Sequence, residues 1–296
     1  MRIRQLQCFV VLAEELSFTR AAIRLNMSQP PLSTQIQTLE REIEAQLILR
    51  TSRKVALTDA GKAFLGHARS MLEEYQRAMR EIAAIRQGQE GLLEIGATGS
   101  ILRGGLSDLL ARFSATHPGI SLHVTEQPPS VQITEVISHR TDVSFNRSIP
   151  RSRDLAHEFA WSEEMVALLP HDHPLAGRTA VSIADLRNDP HVLLRPDSSD
   201  FATYLLSRII DAGYHPKVSQ QVVDAQSIPA LIASGFGVSI VPAGIARLTA
   251  GPLVFLPIRP EPPISQVYMV YRRQQPSPAL LTFLAHVRAG LKEGAA

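Results

Sequence analysis

The chain of 296 residues is long enough for two or three compact units rather than one small core. Apolar residues make up 45% of it and charged residues 20%, a balance typical of soluble globular proteins rather than disordered ones. No run reaches the roughly 18 apolar residues that a membrane span requires, which excludes a transmembrane protein. The formal net charge of +2 does not by itself indicate a partner.

The N-terminus leads directly into an amphipathic pattern, without the continuous apolar stretch and small-residue cleavage site of a signal peptide. We therefore expect a cytoplasmic protein that does not associate with a membrane. Cys8 is the only cysteine, which excludes an intrachain disulfide. Because Cys8 lies among apolar residues on a predicted helix, a structural thiol is favoured over a reactive one.

Residues 1–58 carry eight basic side chains and five acidic ones, a small positive excess that suits nucleic acid without demonstrating binding. Apolar residues at helical spacing predict a first helix of about 13 residues. Ser17 is a suitable N-cap for a short second helix. Ser28 can cap a third helix, with Pro30 and Pro31 in its first turn.

The third predicted helix has two opposite faces at about 100° per residue. Its apolar stripe, which we expect to face the core, consists of Leu32, Ile36, Leu39 and Ile43. The opposite face supplies amide forks, hydroxyls and a guanidinium, which suit base edges and phosphates. The predicted DNA-contacting residues of this helix are Gln29, Pro30, Ser33, Thr34, Gln37 and Arg41. For an isolated helix, an ordinary solvated face is the simpler interpretation.

The neighbouring segments favour DNA binding. Two short helices with a tight connection at Asn26-Met27 form a helix-turn-helix. Residues 50–57 then read as a basic turn between short extended pieces, which is typical of a wing. We expect Arg53 and Lys54 at its tip to reach phosphates or a minor groove.

Residues 18–61 resemble the signature of LysR-type transcriptional regulators, which are bacterial winged helix-turn-helix proteins. The matching positions include Phe18-Thr19-Arg20-Ala21-Ala22, Ser28-Gln29-Pro30-Pro31-Leu32-Ser33, Leu57-Thr58 and Gly61. Two positions differ, because the family usually has glycine at Glu44 and phenylalanine at Ile48. We expect Glu44 to adopt a backbone conformation that glycine takes more easily, at a modest local cost.

A long helix is predicted over 59–88, with Thr58 as its cap. Its apolar residues alternate in steps of four and three, a heptad pattern whose predicted dimerisation residues are Phe64, Ala68, Met71, Tyr75, Ala78, Ile82 and Ile85. At about 1.5 Å per residue, the helix is roughly 40 Å long. It cannot bury its apolar lines alone, so we predict a homodimer, with packing against the C-terminal domain as the alternative.

Residues 87–91 (Gln-Gly-Gln-Glu-Gly) break the helical pattern and mark a domain boundary. From Leu92, short apolar runs alternate with helical stretches, which favours an α/β domain with mostly parallel strands over 92–296. Strands are predicted at 92–97, 120–126, 142–145, 165–169, 191–194, 218–222, 237–241, 253–256 and 266–271. Helices are predicted at 101–115, 130–139, 201–212, 226–234 and 278–289. The resemblance implies two lobes, 92–161 with 266–296 and 162–265, around a cleft like that of periplasmic solute-binding proteins.

Ligands of α/β sheets bind beyond the carboxyl ends of strands. Thr98 and Ser100 follow the first strand of this domain, where hydroxyls and backbone N–H groups suit a carboxylate, although plain N-capping is equally open. Arg147 follows the strand at 142–145, and its guanidinium would bind an anion unless it is an ordinary surface arginine.

Three segments are similar to LysR-type regulators of aromatic and chloroaromatic degradation, which respond to benzoate- or muconate-like acids. They are Asn146-Arg147, Asp200-Phe201-Ala202-Thr203-Tyr204 and Ser234-Gly235-Phe236-Gly237-Val238-Ser239-Ile240-Val241-Pro242. The resemblance implies that Ser100 and Phe201 line the effector cleft and that Arg147 lies at a further aromatic-acid pocket. A hydroxyl residue expected at Pro129 is missing, and Ser130 is its replacement. The predicted effector-binding residues are Thr98, Ser100, Ser130, Arg147 and Phe201.

Other chemistry finds little support. His171-Asp172-His173 resembles a metal-ligand pair, but no other Cys or His lies at ligand spacing. We find no glycine-rich phosphate loop, nucleophile elbow or pair of catalytic carboxylates. We therefore expect no metal, no cofactor and no enzymatic activity. A solute-binding protein is disfavoured by the missing signal peptide.

The resemblance also implies a mechanism. A dimer, assembled further into a tetramer, binds pseudo-palindromic promoter sites and bends the DNA. An aromatic or dicarboxylic acid in the cleft then favours an arrangement from which RNA polymerase starts transcription. This interpretation makes the chain an activator in aromatic catabolism, with a LysR-type repressor or an effector-independent regulator as the alternative.

Overall fold

A computed structural model describes residues 1–50, 55–86, 91–249, 251–274 and 276–293. The chain divides into two compact units, Met1–Ala83 and Ala84–Ala296. None of the described helices combines the length and the apolar character that crossing a bilayer demands.

The N-terminal unit is built from helices and one small hairpin. Its elements are α1 (Ile3–Glu15), α2 (Phe18–Arg24), α3 (Gln29–Ile43), β1 (Ile48–Arg50), β2 (Val55–Leu57) and α4 (Asp59–Arg86). The three predicted helices and the long helix are confirmed. The antiparallel pair β1–β2 provides the two extended pieces of the wing, whereas Arg53 and Lys54 lie outside the described residues.

The helix ends follow the sequence signals with one correction. Ser17 accepts a hydrogen bond from the Arg20 backbone N–H at 3.4 Å and so caps α2. Ser28 holds the extended N-cap conformation of α3, but its side chain makes no capping hydrogen bond. A cap side chain accepts from the second or third helical N–H, and here Pro30 and Pro31 occupy those positions without an N–H. Glu44 ends α3 at φ 56°, which confirms its expected left-handed conformation.

The core of this unit is apolar and closed. Phe9, Leu32 and Ile36 are fully buried in it, and Phe9 lies 5.3 Å from Phe64 of α4 between ring centroids. Gly61 is required where α4 meets the wing, because a Cβ there would lie 2.1 Å from the Leu47 carbonyl oxygen.

The C-terminal unit is an α/β structure. Its strands are β3 (Gly91–Ala97), β4 (Ile120–Glu126), β5 (Val143–Asn146), β6 (Leu155–Pro170), β7 (Pro190–Leu194), β8 (Lys217–Val222), β9 (Ser239–Pro242), β10 (Leu253–Pro257) and β11 (Ile264–Arg272). Its α-helices are α5 (Gly99–Ile101), α6 (Ser107–Thr116), α7 (Pro129–Ile137), α8 (Asp200–Asp211), α9 (Ile228–Ala233) and α10 (Pro278–Glu293). A π-helical turn, Leu102–Leu106, joins α5 to α6, and 3₁₀ turns lie at Ile183–Leu186, Pro196–Ser198, Ala225–Ser227 and Ala243–Leu248.

One long strand runs through both lobes. Strand β6 pairs with β11 as far as Glu164 and with β9 and β10 from Met165 onward. The main sheet has the order β10-β6-β11-β5-β3-β4, with β9 also on β6 and with β7–β8 as a separate parallel pair. Separate apolar clusters fill the two lobes, one around β3, β5 and β11 and two around β7, β9 and the end of β6.

Two expectations about the sheet were wrong. The strand predicted at 165–169 in fact begins ten residues earlier, at Leu155. The sequence pattern misses residues 155–164 because they include Glu158, Glu163 and Glu164, and glutamate is depleted in strands. The expectation of mostly parallel strands also fails, since every pairing of β6 and β11 is antiparallel. The lobe boundaries predicted from the resemblance stay predictions, although the change of partners on β6 falls close to the first of them.

Candidate functional site

Helix α3 presents one polar, exposed face. Its predicted DNA-facing residues Gln29, Pro30, Thr34, Gln37 and Arg41 are exposed, and Ser33 is half-buried. On the opposite side, Leu32, Ile36 and Leu39 are fully buried. A rigid helix that is anchored on one side and offers amide and guanidinium groups on the other can enter a major groove.

The apolar seam on α4 divides into two parts. Ala68 is fully buried in the core of its own unit, so its prediction as a dimer contact is wrong. Phe64 and Met71 are half-buried and pack against the same core. The first turns of α4 thus bury their apolar residues within their own unit, which the heptad pattern alone does not reveal.

The later turns of α4 remain uncovered in the single chain. Tyr75 is 44% exposed, Met79 50% and Ile82 52%, and Ala78 is exposed as well. Residue 85 lies in the helix, but its side chain is outside the described residues. The exposed apolar stretch Tyr75, Met79 and Ile82 is therefore the part of the seam available to a second molecule.

A cavity of about 240 Å³ lies between the lobes of the C-terminal unit. Its walls come from the segments that follow β3, β5 and β8 and from the N-terminal turns of α7 and α8. All five predicted effector residues line it, namely Thr98, Ser100, Ser130, Arg147 and Phe201. The carboxyl ends of three strands thus meet at one cavity, and this is where α/β sheets bind their ligands.

Arg147 is the most constrained side chain of the cavity. Its Nε donates to Ser265 Oγ at 2.8 Å and its Nη1 to Ser100 Oγ at 2.9 Å. Its Nη2 donates to Glu163 Oε1 at 2.9 Å, and only 7% of the arginine and 12% of the glutamate side chain is exposed. The guanidinium carbon also lies 5.4 Å from the centre of the Phe201 ring. Arg147 is therefore not an ordinary surface arginine.

The segment after β3, Thr98 to Ser100, forms a hydrogen bond to Asp224 on the other side of the cavity. Thr98 Oγ1 lies 3.1 Å from Ser100 Oγ, and both side chains are buried. The Ser100 backbone N–H donates to Asp224 Oδ2 at 3.3 Å. A Cβ on Gly99 would lie 1.9 Å from Gln226 Oε1, so glycine allows the two lobes to approach here.

Sequence reasoning missed Asp224 and Glu163. Asp224 lies two residues beyond the strand predicted at 218–222, so the strand-end rule that selected Thr98 and Arg147 would also have selected it. Glu163 lies in the half of β6 that was not predicted, and nothing local in the sequence brings it to Arg147, 16 residues away.

The remaining candidates are structural. His173 Nε2 lies 3.1 Å from Asp189 Oδ1, and its Nδ1 accepts from the Leu175 N–H, whereas His171 is exposed. In the part of the chain that the structure describes, no three His, Cys, Asp or Glu side chains converge as a metal site requires. Burial raises the pKa of the Cys8 thiol, which makes it a poor nucleophile.

Family models match almost the whole chain. The LysR substrate binding domain matches residues 86–292, and the bacterial regulatory helix-turn-helix of the lysR family matches residues 3–62. The chain belongs to the LysR family of transcriptional regulators. It is thus a DNA-binding regulator with an N-terminal helix-turn-helix and a two-lobed C-terminal domain, and its family is not one of enzymes.

Relatives and solved structures of LysR regulators extend over nearly the full length. The uncharacterized HTH-type transcriptional regulator YnfL of Escherichia coli is 37% identical and covers 99% of both chains. BenM of Acinetobacter baylyi is 30% identical over 97% of this chain and 95% of its own. The crystal structure of full-length CbnR with its target DNA matches with a TM-score of 0.82 and 28% identity, over 98% of this chain and 99% of CbnR.

Proposed function

We propose that this LysR regulator activates transcription in response to a small organic acid, aromatic or dicarboxylic, that binds in the cavity between its lobes. The observation that carries the proposal is the convergence of Thr98, Ser100, Ser130, Arg147 and Phe201 on one cavity of about 240 Å³. Polar groups that fix orientation within largely apolar walls are typical of small-molecule sites.

Two relatives support the finer assignment. Benzoate is the effector of BenM, a regulator 30% identical to this chain. HcaR of Escherichia coli, the Hca operon transcriptional activator, is 31% identical over 98% of this chain. BenM favours an aromatic effector and HcaR favours activation, and we extend the proposal to a role in aromatic catabolism. The residues of the cavity supply the hydroxyls and the guanidinium that an acid requires.

The proposed partner of the N-terminal unit is promoter DNA. The exposed face of α3 reads base edges in the major groove, and Arg53 and Lys54 of the wing contact the backbone or a minor groove. Two such units bind a pseudo-palindromic site, because a symmetric dimer places two recognition helices on successive turns of the duplex.

The dimer forms through the exposed apolar stretch of α4, which includes Tyr75 and Ile82. Two dimers then form a tetramer that holds DNA bent until the acid favours a second arrangement and RNA polymerase can start. A ligand shifts this equilibrium only by its different affinity for the two arrangements. The working units are residues 1–58, 59–88 and 92–296, and the protein acts in the cytoplasm.

Fluorescence anisotropy on the DNA upstream of its own gene tests the proposal. We expect tight, sequence-selective binding that weakens as salt rises, together with a complex altered by one small organic acid, aromatic or dicarboxylic. No selective binding at low salt would overturn the DNA-binding assignment of α3. Unaltered binding with every acid would remove the effector, and lower transcription from a promoter template would indicate a repressor.

A further inference from the structure

The carboxylate of Asp224 is the least balanced charge of the cavity. It follows β8 and begins the 3₁₀ turn Ala225–Ser227, where its Oδ1 accepts from the Gln226 N–H at 3.3 Å. Its Oδ2 accepts from the Ser100 N–H, also at 3.3 Å. The side chain is half-buried and lines the cavity, and among the described residues no cationic group forms an ion pair with it.

The cations of the cavity do not neutralise Asp224. Arg147 is paired with Glu163 at 2.9 Å, so the two together add no net charge to the cavity. Arg151 and Asp200 also line the cavity, and both are exposed. Neither arginine forms a described ion pair with Asp224, so its half-buried carboxylate lies on the cavity wall without a paired cation among the described residues.

The carboxylate of Asp224 disfavours a ligand whose only polar group is another carboxylate. Such a ligand would bring a second carboxylate into the cavity that Asp224 lines and would offer Asp224 no donor in return. A carboxylate can accept about four hydrogen bonds, and the two long ones to Asp224 leave it able to accept more. The group that satisfies it best is a cationic donor, since charge-assisted hydrogen bonds are about twice as strong as neutral ones.

We propose that Asp224 receives the ammonium group of the effector, so the organic acid that this regulator senses is an amino acid. This inference rests on the proposed function, because the acid group of the same molecule binds the hydroxyls of Thr98 and Ser130 and the N–H groups of Arg147 that remain. Ile101, Ile133 and Leu194 line the same cavity and select an apolar side chain.

Matched ligand pairs test the inference on the full-length protein. The probes are L-valine, L-leucine, L-isoleucine, L-methionine and L-phenylalanine, each compared with the acid that lacks only its amino group. Titration calorimetry measures affinity, and the fluorescence of Trp161, the only tryptophan, gives a second readout from beside Phe145 of the cavity wall. We expect at least one amino acid to bind about tenfold to a hundredfold tighter than its partner.

The variant Asp224→Asn separates charge from structure. Asparagine caps helices as well as aspartate does, so the fold is retained, which a thermal melt verifies. We expect the preference for the amino acid to fall to about one in this variant, because its side chain carries no charge. The control Asp172→Asn changes an exposed carboxylate outside the cavity and should leave the preference unchanged.

Two results would overturn the inference. Equal or tighter binding of the deaminated acids would show that Asp224 selects no ammonium group, while the organic-acid function would stand. Absence of binding by all five amino acids at millimolar concentration, with selective DNA binding intact, would also reject it. Loss of selective DNA binding in the anisotropy assay would instead count against the proposed function itself.

Discussion

The two units of this regulator place their polar groups in opposite ways. In the described part of the N-terminal unit, Gln5 is the only buried polar residue, and the residues proposed to contact DNA lie on an exposed helix face. In the C-terminal unit, Thr98, Ser100 and Asn146 are buried around a cavity, and Arg147 is nearly so. The DNA-binding surface is a set of exposed side chains on a helix that packs on an apolar core. The cavity is instead lined by polar side chains that hydrogen-bond to one another between the two lobes.

This difference predicts how each unit fails. A surface function is lost when the core beneath it is disrupted, because the exposed side chains then lose their common support. A cavity function is lost when one partner of a buried polar network is removed, because the other partner stays buried without compensation.

The largest effect is expected from Phe9→Ala. Phe9 is fully buried and contacts Phe64, so the truncation should reduce the stability of the N-terminal unit by about 3–5 kcal/mol. Urea unfolding followed by circular dichroism, together with DNA anisotropy, measures the change. The control Ile23→Ala removes a side chain that is 70% exposed and should be nearly neutral. Equal destabilisation of both units by Phe9→Ala would show that they unfold together and would break the comparison.

The next effect concerns the ion pair of the cavity. Glu163→Gln leaves the guanidinium of Arg147 buried without a counter-charge, and we expect a loss of about 3 kcal/mol. The neighbouring change Glu164→Gln provides a matched control, since Glu164 and its partner Arg259 are about half exposed and their pair contributes at most about 1 kcal/mol. Unfolding of the C-terminal unit measures both. Similarly small losses of stability in the two variants would mean that the Arg147–Glu163 pair is as well solvated as an ion pair on the surface.

The same contrast explains which features the sequence predicts. The faces of α3 follow from one periodic pattern, and Leu32, Ile36 and Leu39 are buried as that pattern requires. The left-handed Glu44 follows from the position where a helix of this type usually ends in glycine. These inferences need only neighbouring residues, and the structure confirms them.

Inferences that depend on distant contacts were less accurate. The heptad seam of α4 was predicted as one surface, yet Ala68 is covered by the core of its own unit and Tyr75 is exposed. The effector residues were selected by the strand-end rule and by resemblance, and they do line one cavity. Glu163 was missed because its role depends on the path of β6 through both lobes, which no local pattern records.

A smaller effect separates two kinds of contact on α3. Gln37→Ala should reduce discrimination between the preferred site and a mutated one by about 1–3 kcal/mol, because an amide fork reads a base edge. Arg41→Ala should instead weaken binding to all sequences alike and lower the slope of affinity against salt by about one. Anisotropy titrations at several salt concentrations, on matched and mutated sites, distinguish the two. If both variants weaken all sites equally, α3 binds phosphates and reads no bases.

The smallest effect is expected from the titration of His191, a buried histidine of the C-terminal unit. His67, the described histidine of the N-terminal unit, is exposed. His191 is fully buried, with Nδ1 donating to the Asp189 carbonyl oxygen at 2.9 Å and Nε2 lying 3.0 Å from the Tyr214 hydroxyl. Burial lowers the pKa of His191, and it raises the pKa of Tyr214 to about 12, so both side chains are neutral at pH 7.

The sign of the pH dependence follows from that shift. Below the unfolded-state pKa of about 6.5, the unfolded chain binds a proton at His191 that the folded chain does not. Stability should therefore fall as the pH decreases from about 6.5 to the lower folded-state pKa, and change no further through this group below it. The variant His191→Gln should show a shallower decrease in thermal melts over this range, and the exposed control His171→Gln should match the parent. A parent-like slope in His191→Gln would mean that burial in this lobe does not restrict protonation, which would weaken the contrast between the two units.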